Sequence, residues 1–312
     1  MTLSDHVRTL GRGPGRSRSL TQDEAADAMC QMLLGEAAPQ AVGALLMLLR
    51  MKGETADEIA GFASAAQAVL PALPPVDLDW PSYGAGRTRG APWFLLSARL
   101  VAQAGHRVLI HGWNGTDTKV RDGLSVAGIG MASDPDALAT LLDRDRIAYL
   151  PLETAYPALF DLLALRDVLG LRSCINTVCR MLNPARARAS VQGVFHPSYR
   201  ELQADAATRL GWHALSVIKG GGGEFERNPT KDIAAFGLRS GQRWEATFAS
   251  RLDETRRMAE QHGVTFGSRD LPAFETEIIT GTAAIALDTL GTPAAGALAA
   301  RLWSDHHENI AA

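Results

Sequence analysis

The segment at residues 110–119 holds residue types that bind phosphate groups in proteins. It reads Ile-His-Gly-Trp-Asn-Gly-Thr-Asp-Thr-Lys, and another basic residue follows two positions later. Backbone amides, hydroxyls and an ammonium group together make a favourable site for an anion. The predicted phosphate contacts are His111, Gly112, Thr116, Thr118, Lys119 and Arg121. Trp113 has two interpretations: a surface on which a base stacks, or an aromatic residue of the core or the rim. For His111, the alternative to phosphate binding is a purely structural hydrogen-bonding role.

A stretch that combines glycine and arginine precedes this segment, at residues 83–89. Glycines let a backbone approach phosphates closely and adopt positive φ. Arginine guanidinium groups meet phosphates with forked, charge-assisted hydrogen bonds. The candidate contacts are Gly84, Gly86, Arg87 and Arg89; the alternative is a plain glycine turn with solvated arginines.

Four consecutive glycines at residues 220–223 are followed by two acidic residues, Glu224 and Glu226. Carboxylates are ligands that magnesium prefers. Alternate residues of an extended segment point to opposite sides, so we expect that this pair does not form an intact magnesium site.

Basic residues gather in particular parts of a chain whose net charge is only −3. Residues 1–20, 79–130 and 160–200 hold 16 Lys or Arg and 6 Asp or Glu, whereas the remainder holds 15 and 28. This segregation favours an anionic ligand on one face, and the alternative is chance clustering on a solvated surface. Between residues 166 and 188 the basic residues are Arg166, Arg172, Arg180, Arg186 and Arg188, with Asn176 among them.

The positions of these candidates depend on two kinds of element. Within the first 70 residues, capping boxes at Thr21–Glu24 and Thr55–Glu58, and Pro39 as a helix start, predict three amphipathic helices. The arginines among residues 8–18 alternate with glycines and indicate a flexible basic arm. A proline-rich stretch at residues 71–75 then leads into alternating helical and strand-like segments, which predict a largely parallel sheet flanked by helices. A hairpin is expected at residues 234–248.

Composition excludes few classes of protein. The longest apolar run, at residues 44–49, is too short to span a bilayer, and residues 2–18 contain no apolar core of a signal peptide. The three cysteines form no metal-binding or CxxC spacing. We therefore expect a cytoplasmic protein with reduced thiols and no membrane partner.

The segment Leu-Gly-Leu-Arg-Ser-Cys-Ile-Asn-Thr-Val-Cys-Arg-Met-Leu-Asn-Pro-Ala, at residues 169–185, resembles the hinge signature of anthranilate phosphoribosyltransferases. Arg172, Asn176, Asn183 and Pro184 stand at the matching spacings, and the resemblance extends over nearly the whole chain. It implies a small N-terminal helical domain, residues 1–73, joined by a helical hinge near residues 154–185. A larger α/β domain with a mostly parallel sheet, residues 79–312, follows.

Two departures from that family concern the activated sugar. Residues 83–89 lack the family's G-T-G-G-D diphosphate loop, and Glu224 and Glu226 replace its adjacent acidic pair. The sequence therefore resembles paralogues that do not serve tryptophan synthesis, which implies a non-catalytic homodimer that pairs through its N-terminal helices. Its partner would be single-stranded DNA, RNA or another phosphorylated ligand, and no cofactor is expected. The alternative is a phosphoribosyl or glycosyl transferase with a different acceptor, which alone would require magnesium.

Overall fold

The computed structural model describes residues 1–84, 90–260, 263–268 and 270–311. Within residues 1–84 the chain begins with a bundle of four helices, whose inner faces bury Met29, Leu45, Leu49 and Phe62 completely. The helices are α1 (Leu3–Gly11), α2 (Gln22–Leu33), α3 (Pro39–Lys52) and α4 (Ala56–Ala68).

The start and end signals of α2 to α4 are those that the sequence predicts. The Thr21 hydroxyl accepts a hydrogen bond from Glu24 N at 3.2 Å, while the Glu24 carboxylate accepts one from Thr21 N at 2.9 Å. Thr55 and Glu58 repeat this arrangement at the start of α4. Each pair satisfies backbone donors that the first helical turn leaves without an intrahelical partner.

The expectation of a flexible arm at residues 8–18 is wrong for its first residues, because residues 3–11 form α1. Leu3 and Leu10 are buried against the bundle, and His6 Nε2 lies 2.6 Å from Asp27 Oδ2. Apolar residues at positions 3 and 10 lie on one face of a helix, so α1 buries its apolar stripe and exposes its arginine.

Of the three helices between residues 152 and 180, two return to this bundle. α9 and α10 pack against α2 and α4, with Leu159, Leu162 and Leu163 buried among them. These helices are α8 (Leu152–Ala155), α9 (Pro157–Leu169) and α10 (Ile175–Arg180).

In the described part of the chain, the second unit is an eight-stranded sheet with the order β3-β4-β2-β1-β5-β6-β7-β8. Its first six strands run parallel, and β7 and β8 form the antiparallel hairpin predicted at residues 234–248. Ser240 and Gly241 both have positive φ in the turn, which is the geometry that two-residue hairpins favour. The strands are β1 (Leu78–Ser82), β2 (Val108–Gly112), β3 (Gly130–Met131), β4 (Ile147–Pro151), β5 (Ala189–Val194), β6 (Ala214–Lys219), β7 (Ile233–Arg239) and β8 (Gln242–Phe248).

Helices cover both faces of the sheet. Val108, Ile110 and Val191 belong to the apolar core that α5, α12 and α13 cover, while Leu109 and Val217 face α7, α11 and the bundle. Burial on both faces is typical of parallel sheets. The helices of this unit are α5 (Phe94–Gln103), α6 (Lys119–Val126), α7 (Pro135–Asp145), α11 (Ser198–Arg209), α12 (Ala273–Thr289) and α13 (Ala295–Ala311). Among the described residues, no helix has both the length and the apolar character needed to cross a membrane.

Candidate site for an anionic ligand

The candidate residues lie mainly where the parallel strands end. β1, β2, β5 and β6 finish at Ser82, Gly112, Val194 and Lys219, and α10 lies beside this edge. Ligands of open α/β sheets bind in crevices outside the carboxyl ends of the strands. The site is therefore built from strand termini, the loops that follow them and the hinge helix α10.

A buried chain of polar side chains supports the ends of β1 and β2. His111 Nε2 lies 3.0 Å from Asp79 Oδ1, and its Nδ1 lies 2.9 Å from the Tyr83 hydroxyl. Ser190 donates to the other oxygen of Asp79 at 2.7 Å. Burial raises the pKa of Tyr83 well above its usual value. His111 is only 1% exposed, and both of its ring nitrogens lie beside buried polar side chains.

The Glu224 carboxylate reaches Gly84, two residues after the end of β1. Its Oε1 accepts a hydrogen bond from Gly84 N at 2.7 Å and one from Asn114 Nδ2 at 3.3 Å. Asn114 also donates to Ser82 Oγ at 3.2 Å. Glu224 is fully buried. Its hydrogen bonds connect the segment after β6 with Gly84, which follows β1, and with Asn114, which follows β2.

Glu226 reaches a different element. Its Oε1 accepts a hydrogen bond from Phe94 N, the first residue of α5, at 3.1 Å. In the described ranges, no group of three or more His, Cys, Asp or Glu side chains is placed to hold a metal ion. Glu224 and Glu226 thus both accept hydrogen bonds from backbone amides.

Arg180 is buried in the hinge and holds backbone carbonyl groups. Its guanidinium donates to Gly193 O at 3.1 Å, to Gly223 O at 3.3 Å and to the side chain of Asn176. Asn176 donates in turn to Tyr83 O at 3.4 Å. Arg180 therefore connects α10 with the end of β5 and with the glycine turn after β6.

A cavity of about 280 Å³, here called the hinge cavity, lies between α10, the end of α3 and the start of α11. Its lining includes Arg50, Arg172 and Phe195, and the side chain of Phe195 is 40% exposed. The remaining residues of its lining include Asn176, Thr177, Arg180, His196, Tyr199, Gln203 and Gly222.

A second cavity, of about 220 Å³, lies on the other side of the glycine turn and is here called the lysine cavity. Arg200, Lys219 and Lys231 line it, and both lysines are exposed. Gly222 lines the hinge cavity and Gly221 lines the lysine cavity, so the turn at residues 220–223 borders both of them. Gly222 and Gly223 have φ values of 62° and 89°, a conformation that favours glycine, and the turn carries no side chains.

The loop after β2 presents the remaining predicted contacts. Thr116, Thr118 and Lys119 are exposed at the start of α6, while Arg121 forms an ion pair with Glu153 and lies over the ring of Tyr149. Half-buried Trp113 contacts two residues of α9, namely Phe160, with ring centroids 5.5 Å apart, and Arg166, 5.8 Å from its ring. The indole therefore joins the sheet to the helical bundle.

The other predicted contacts do not gather at this edge. Arg186 and Arg188 lead into the amino end of β5, at the opposite edge of the sheet, where Arg188 donates to His213 Nε2 at 2.8 Å. Gly86, Arg87 and Arg89 lie outside the described residues. The sequence patterns did not indicate Asn114, Phe195, Lys219 or Lys231. The first three lie at or just after the end of a strand, whereas Lys231 lies two residues before β7.

A helical bundle followed by an α/β domain with a site at this edge is the architecture of a class of glycosyl transferases. The helical bundle domain of a glycosyl transferase family matches residues 4–69, and the a/b domain matches residues 94–266. The chain belongs to this family, glycosyl transferase family 3, which confirms the resemblance found in the sequence.

Anthranilate phosphoribosyltransferases are among its relatives. The enzyme of Roseiflexus sp. (strain RS-1) is 33% identical over 260 residues, which cover 80% of this chain and 74% of the relative. That of Myxococcus xanthus is 34% identical over 235 residues, which cover 73% and 68%. The crystal structure of the enzyme from Thermus thermophilus has a TM-score of 0.80 at 21% identity, covering 99% and 97% of the two chains. This last similarity confirms the predicted fold.

Proposed function

We propose that this protein is a non-catalytic binder of single-stranded nucleic acid, built on the scaffold of a phosphoribosyltransferase. The observation that carries the proposal is a pair of cavities bordered by the same glycine turn, which carries no side chains. Arg50 and Arg172 line the hinge cavity, and Arg200, Lys219 and Lys231 line the lysine cavity together with the acidic Glu226 and Asp232. A phosphate backbone crossing residues 220–223 would meet Lys219 and Lys231 on one side and Arg50 and Arg172 on the other. Contacts of this kind dominate the affinity of proteins for nucleic acids.

Phe195 supports a single-stranded rather than a duplex ligand. Its ring is exposed at the rim of the hinge cavity and lies edge-on to that of His196, with centroids 5.0 Å apart. Binding of single strands combines a basic groove with aromatic rings on which bases stack. An unpaired base can stack on Phe195, whereas the bases of a duplex are already stacked on their neighbours.

The same proposal includes the oligomeric state and the compartment. We propose a homodimer that pairs through the helical bundle and place Met51 and Val168, near the ends of α3 and α9 and 82% and 81% exposed, in its interface. Cys30, Cys174 and Cys179 are free thiols, which supports the reducing environment of the cytoplasm. Binding requires no cofactor.

Substitution of the lysine cavity tests the proposal. Lys219→Ala combined with Lys231→Ala removes two backbone contacts, so we expect weaker binding of a labelled oligonucleotide. We also expect the slope of the logarithm of the association constant against the logarithm of the salt concentration to be less steep by about 0.7 for each lysine. Fluorescence anisotropy between about 50 and about 200 mM salt measures both quantities. Arg144→Ala combined with Arg301→Ala, two exposed arginines outside both cavities, is the charge-matched control. Equal affinity and slope in the two double variants would contradict the proposal.

A transferase with a different acceptor is the second candidate, favoured by Arg172 and Asn176 lining one cavity beside Gly222. Catalysis of this type depends on positioning the diphosphate and stabilising its charge. It predicts consumption of phosphoribosyl diphosphate that requires magnesium and that Lys119→Ala abolishes. Turnover that persists after chelation of magnesium would exclude this mechanism.

A further inference from the structure

A further cavity, of about 340 Å³, lies where the amino end of α13 meets α12 and the end of β8, and is here called the α13 cavity. Its polar lining consists of Arg227, Arg251, Asp288 and residues 294–297. In the described part of the chain, it shares no lining residue with the hinge cavity or the lysine cavity. A cavity of this size is large enough for a small molecule.

Arg227 brings a buried positive charge to this cavity. The residue is 5% exposed, and its Nε has no hydrogen-bond partner among the described residues. Its guanidinium contacts neutral groups, donating to Ala249 O and lying 5.7 Å from the centroid of the Phe248 ring. A buried charge is costly unless an opposite charge pairs with it.

The carboxylates nearest to the α13 cavity pair with other arginines. Asp288, on its lining, lies 2.7 Å from Arg239, and Glu277 forms an ion pair with Arg251. Within the described ranges, Arg227 therefore has no ion pair of its own. The partner of Asp288 also reduces the repulsion that this carboxylate exerts on an anion in the cavity.

Arg227 and Arg251 lie close together beside α12. A Cβ atom on Gly281 would lie 3.1 Å from Arg227 Cδ and 3.6 Å from Arg251 Cδ, so the glycine makes room for both side chains. Burial, and then repulsion by Arg251, lower the pKa of Arg227 to about 10. The guanidinium remains charged at neutral pH, and a bound anion would offset both of these effects.

The first turn of α13 presents backbone donors to the same cavity. Leu298 N donates to Ala294 O at 3.0 Å, so Ala294 precedes the helix, and its methyl side chain cannot accept a hydrogen bond. The first turn contains no acidic residue. The N–H groups of residues 295–297 lack intrahelical acceptors and carry the positive end of the helix dipole. A Cβ atom on Gly296 would meet nothing within 4 Å, which leaves these donors open to a ligand.

We infer that the α13 cavity binds inorganic phosphate or the phosphate group of a small molecule, between the guanidinium of Arg227 and the amino end of α13. Guanidinium groups and helix N-termini both bind phosphate oxygens in proteins. The apolar Phe248 and Ile285 line the same cavity and provide a surface for the organic part of a phosphate ester. The inference does not depend on nucleic-acid binding, which is proposed for other residues.

Calorimetric titration of the whole protein with inorganic phosphate, at constant ionic strength, tests this site. Ala297→Glu places a carboxylate in the first turn of α13, where it repels an anion but stabilises the helix, so lost binding would not result from unfolding. We expect its association constant to be lower than that of the wild type by about five-fold or more. Ala297→Gln, of the same size without the charge, should stay within about two-fold of the wild type.

Arg227→Met removes the buried charge and should lower the association constant by about ten-fold or more, the scale of a charge-assisted hydrogen bond. Arg301→Ala, at an exposed arginine further along α13, is the control and should bind phosphate as the wild type does. Circular dichroism shows whether Arg227→Met folds, and if it does not, the two Ala297 variants decide. A wild type that does not bind phosphate, or equal constants for Ala297→Glu and Ala297→Gln, would overturn the inference.

Glycerol 3-phosphate, titrated in parallel, identifies the source of the phosphate group. A larger association constant for the ester than for inorganic phosphate would assign the site to a phosphate monoester. An equal or smaller constant would assign it to the free ion. Either result supports the site, provided that Ala297→Glu weakens the binding of the preferred ligand.

Discussion

At the scale of single residues, the sequence identified the acidic pair after the four glycines but not what the pair contacts. Glu224 binds Gly84 N, 140 positions earlier in the chain, and Glu226 binds Phe94 N, 132 positions earlier. Local spacing predicted the chemical types that are present. The partners follow from strand order, which brings β1 between β2 and β5, and local spacing contains no information about that order.

For Arg180, too, the sequence predicted the charge of the side chain but not its partners. The sequence placed it in a basic cluster that binds an anion, whereas the structure buries it among the carbonyls of Gly193 and Gly223. A buried guanidinium needs acceptors, and here the protein supplies them. Charge counting along the chain cannot separate an arginine of this kind from the more exposed Arg172.

Arg180→Ala should therefore destabilise the fold. It leaves two buried carbonyl groups and Asn176 without their donor, which costs on the order of 2–4 kcal/mol in the free energy of unfolding. Urea denaturation followed by circular dichroism measures the change. Arg186→Ala, at an exposed position of the same segment, should stay within about 0.5 kcal/mol of the wild type. Similar stability in both variants would refute the structural role of Arg180.

At the scale of elements, capping signals predicted α2, α3 and α4, because these signals are local. The sequence did not predict α1, although Thr2 and Asp5 form a capping box there, because the arginines and glycines that follow dominated the composition. β1 was also missed, since it contains Asp79 and Pro81, residues that are depleted in strands. His111 and Ser190 lie around Asp79 and compensate its burial, which only the assembled sheet makes possible.

The capping box of α2 predicts a dependence of stability on pH. Hydrogen bonds from Arg18, and then from Thr21 N, lower the pKa of Glu24 to about 2. A carboxyl group whose pKa is lowered by folding stabilises the fold above its unfolded value, about 4.5, and this contribution is lost as the pH falls towards 2. The loss should be about 1 kcal/mol or less, because Arg18 is largely exposed and solvent screens the pair.

Chemical denaturation of the wild type and Glu24→Gln at pH 6 and near pH 3 measures this contribution. The variant should be less stable than the wild type at pH 6, and the difference should shrink near pH 3. Asp167→Asn, which changes a highly exposed carboxylate at the end of α9, serves as the control. A difference that does not depend on pH would show that the ion pair is not the cause.

At the scale of the whole molecule, the alternation of helices and strands predicted the class of fold and the hairpin, which the structure confirms. It could not show that α9 and α10 return to the bundle or that one glycine turn borders two cavities. Contacts between distant segments hold the two units together. Gln67, on α4, donates to Leu182 O at 3.0 Å and to Asn183 O at 2.8 Å, and Tyr199 donates to Glu54 at 2.9 Å.

The proposed homodimer interface can be tested by placing charges in it. Met51→Asp combined with Val168→Asp places two charges in the proposed interface, where they would be desolvated, so it should convert the dimer to a monomer. Sedimentation velocity gives the masses of both forms. Val126→Asp, at an exposed valine on α6 of the other unit, should leave the dimer intact. A monomeric wild type, or a double variant that remains dimeric, would contradict the proposed interface.

The proposal that the two cavities bind a nucleic-acid backbone and not an activated sugar is tested most directly by an anisotropy titration of a labelled single-stranded oligonucleotide. The titration is made at low and moderate salt, with phosphoribosyl diphosphate and magnesium as the competitor. We predict tight binding that weakens steeply with salt and that the competitor does not displace. Absence of oligonucleotide binding, together with thermal stabilisation of the protein by the sugar diphosphate, would contradict the proposal and favour the transferase.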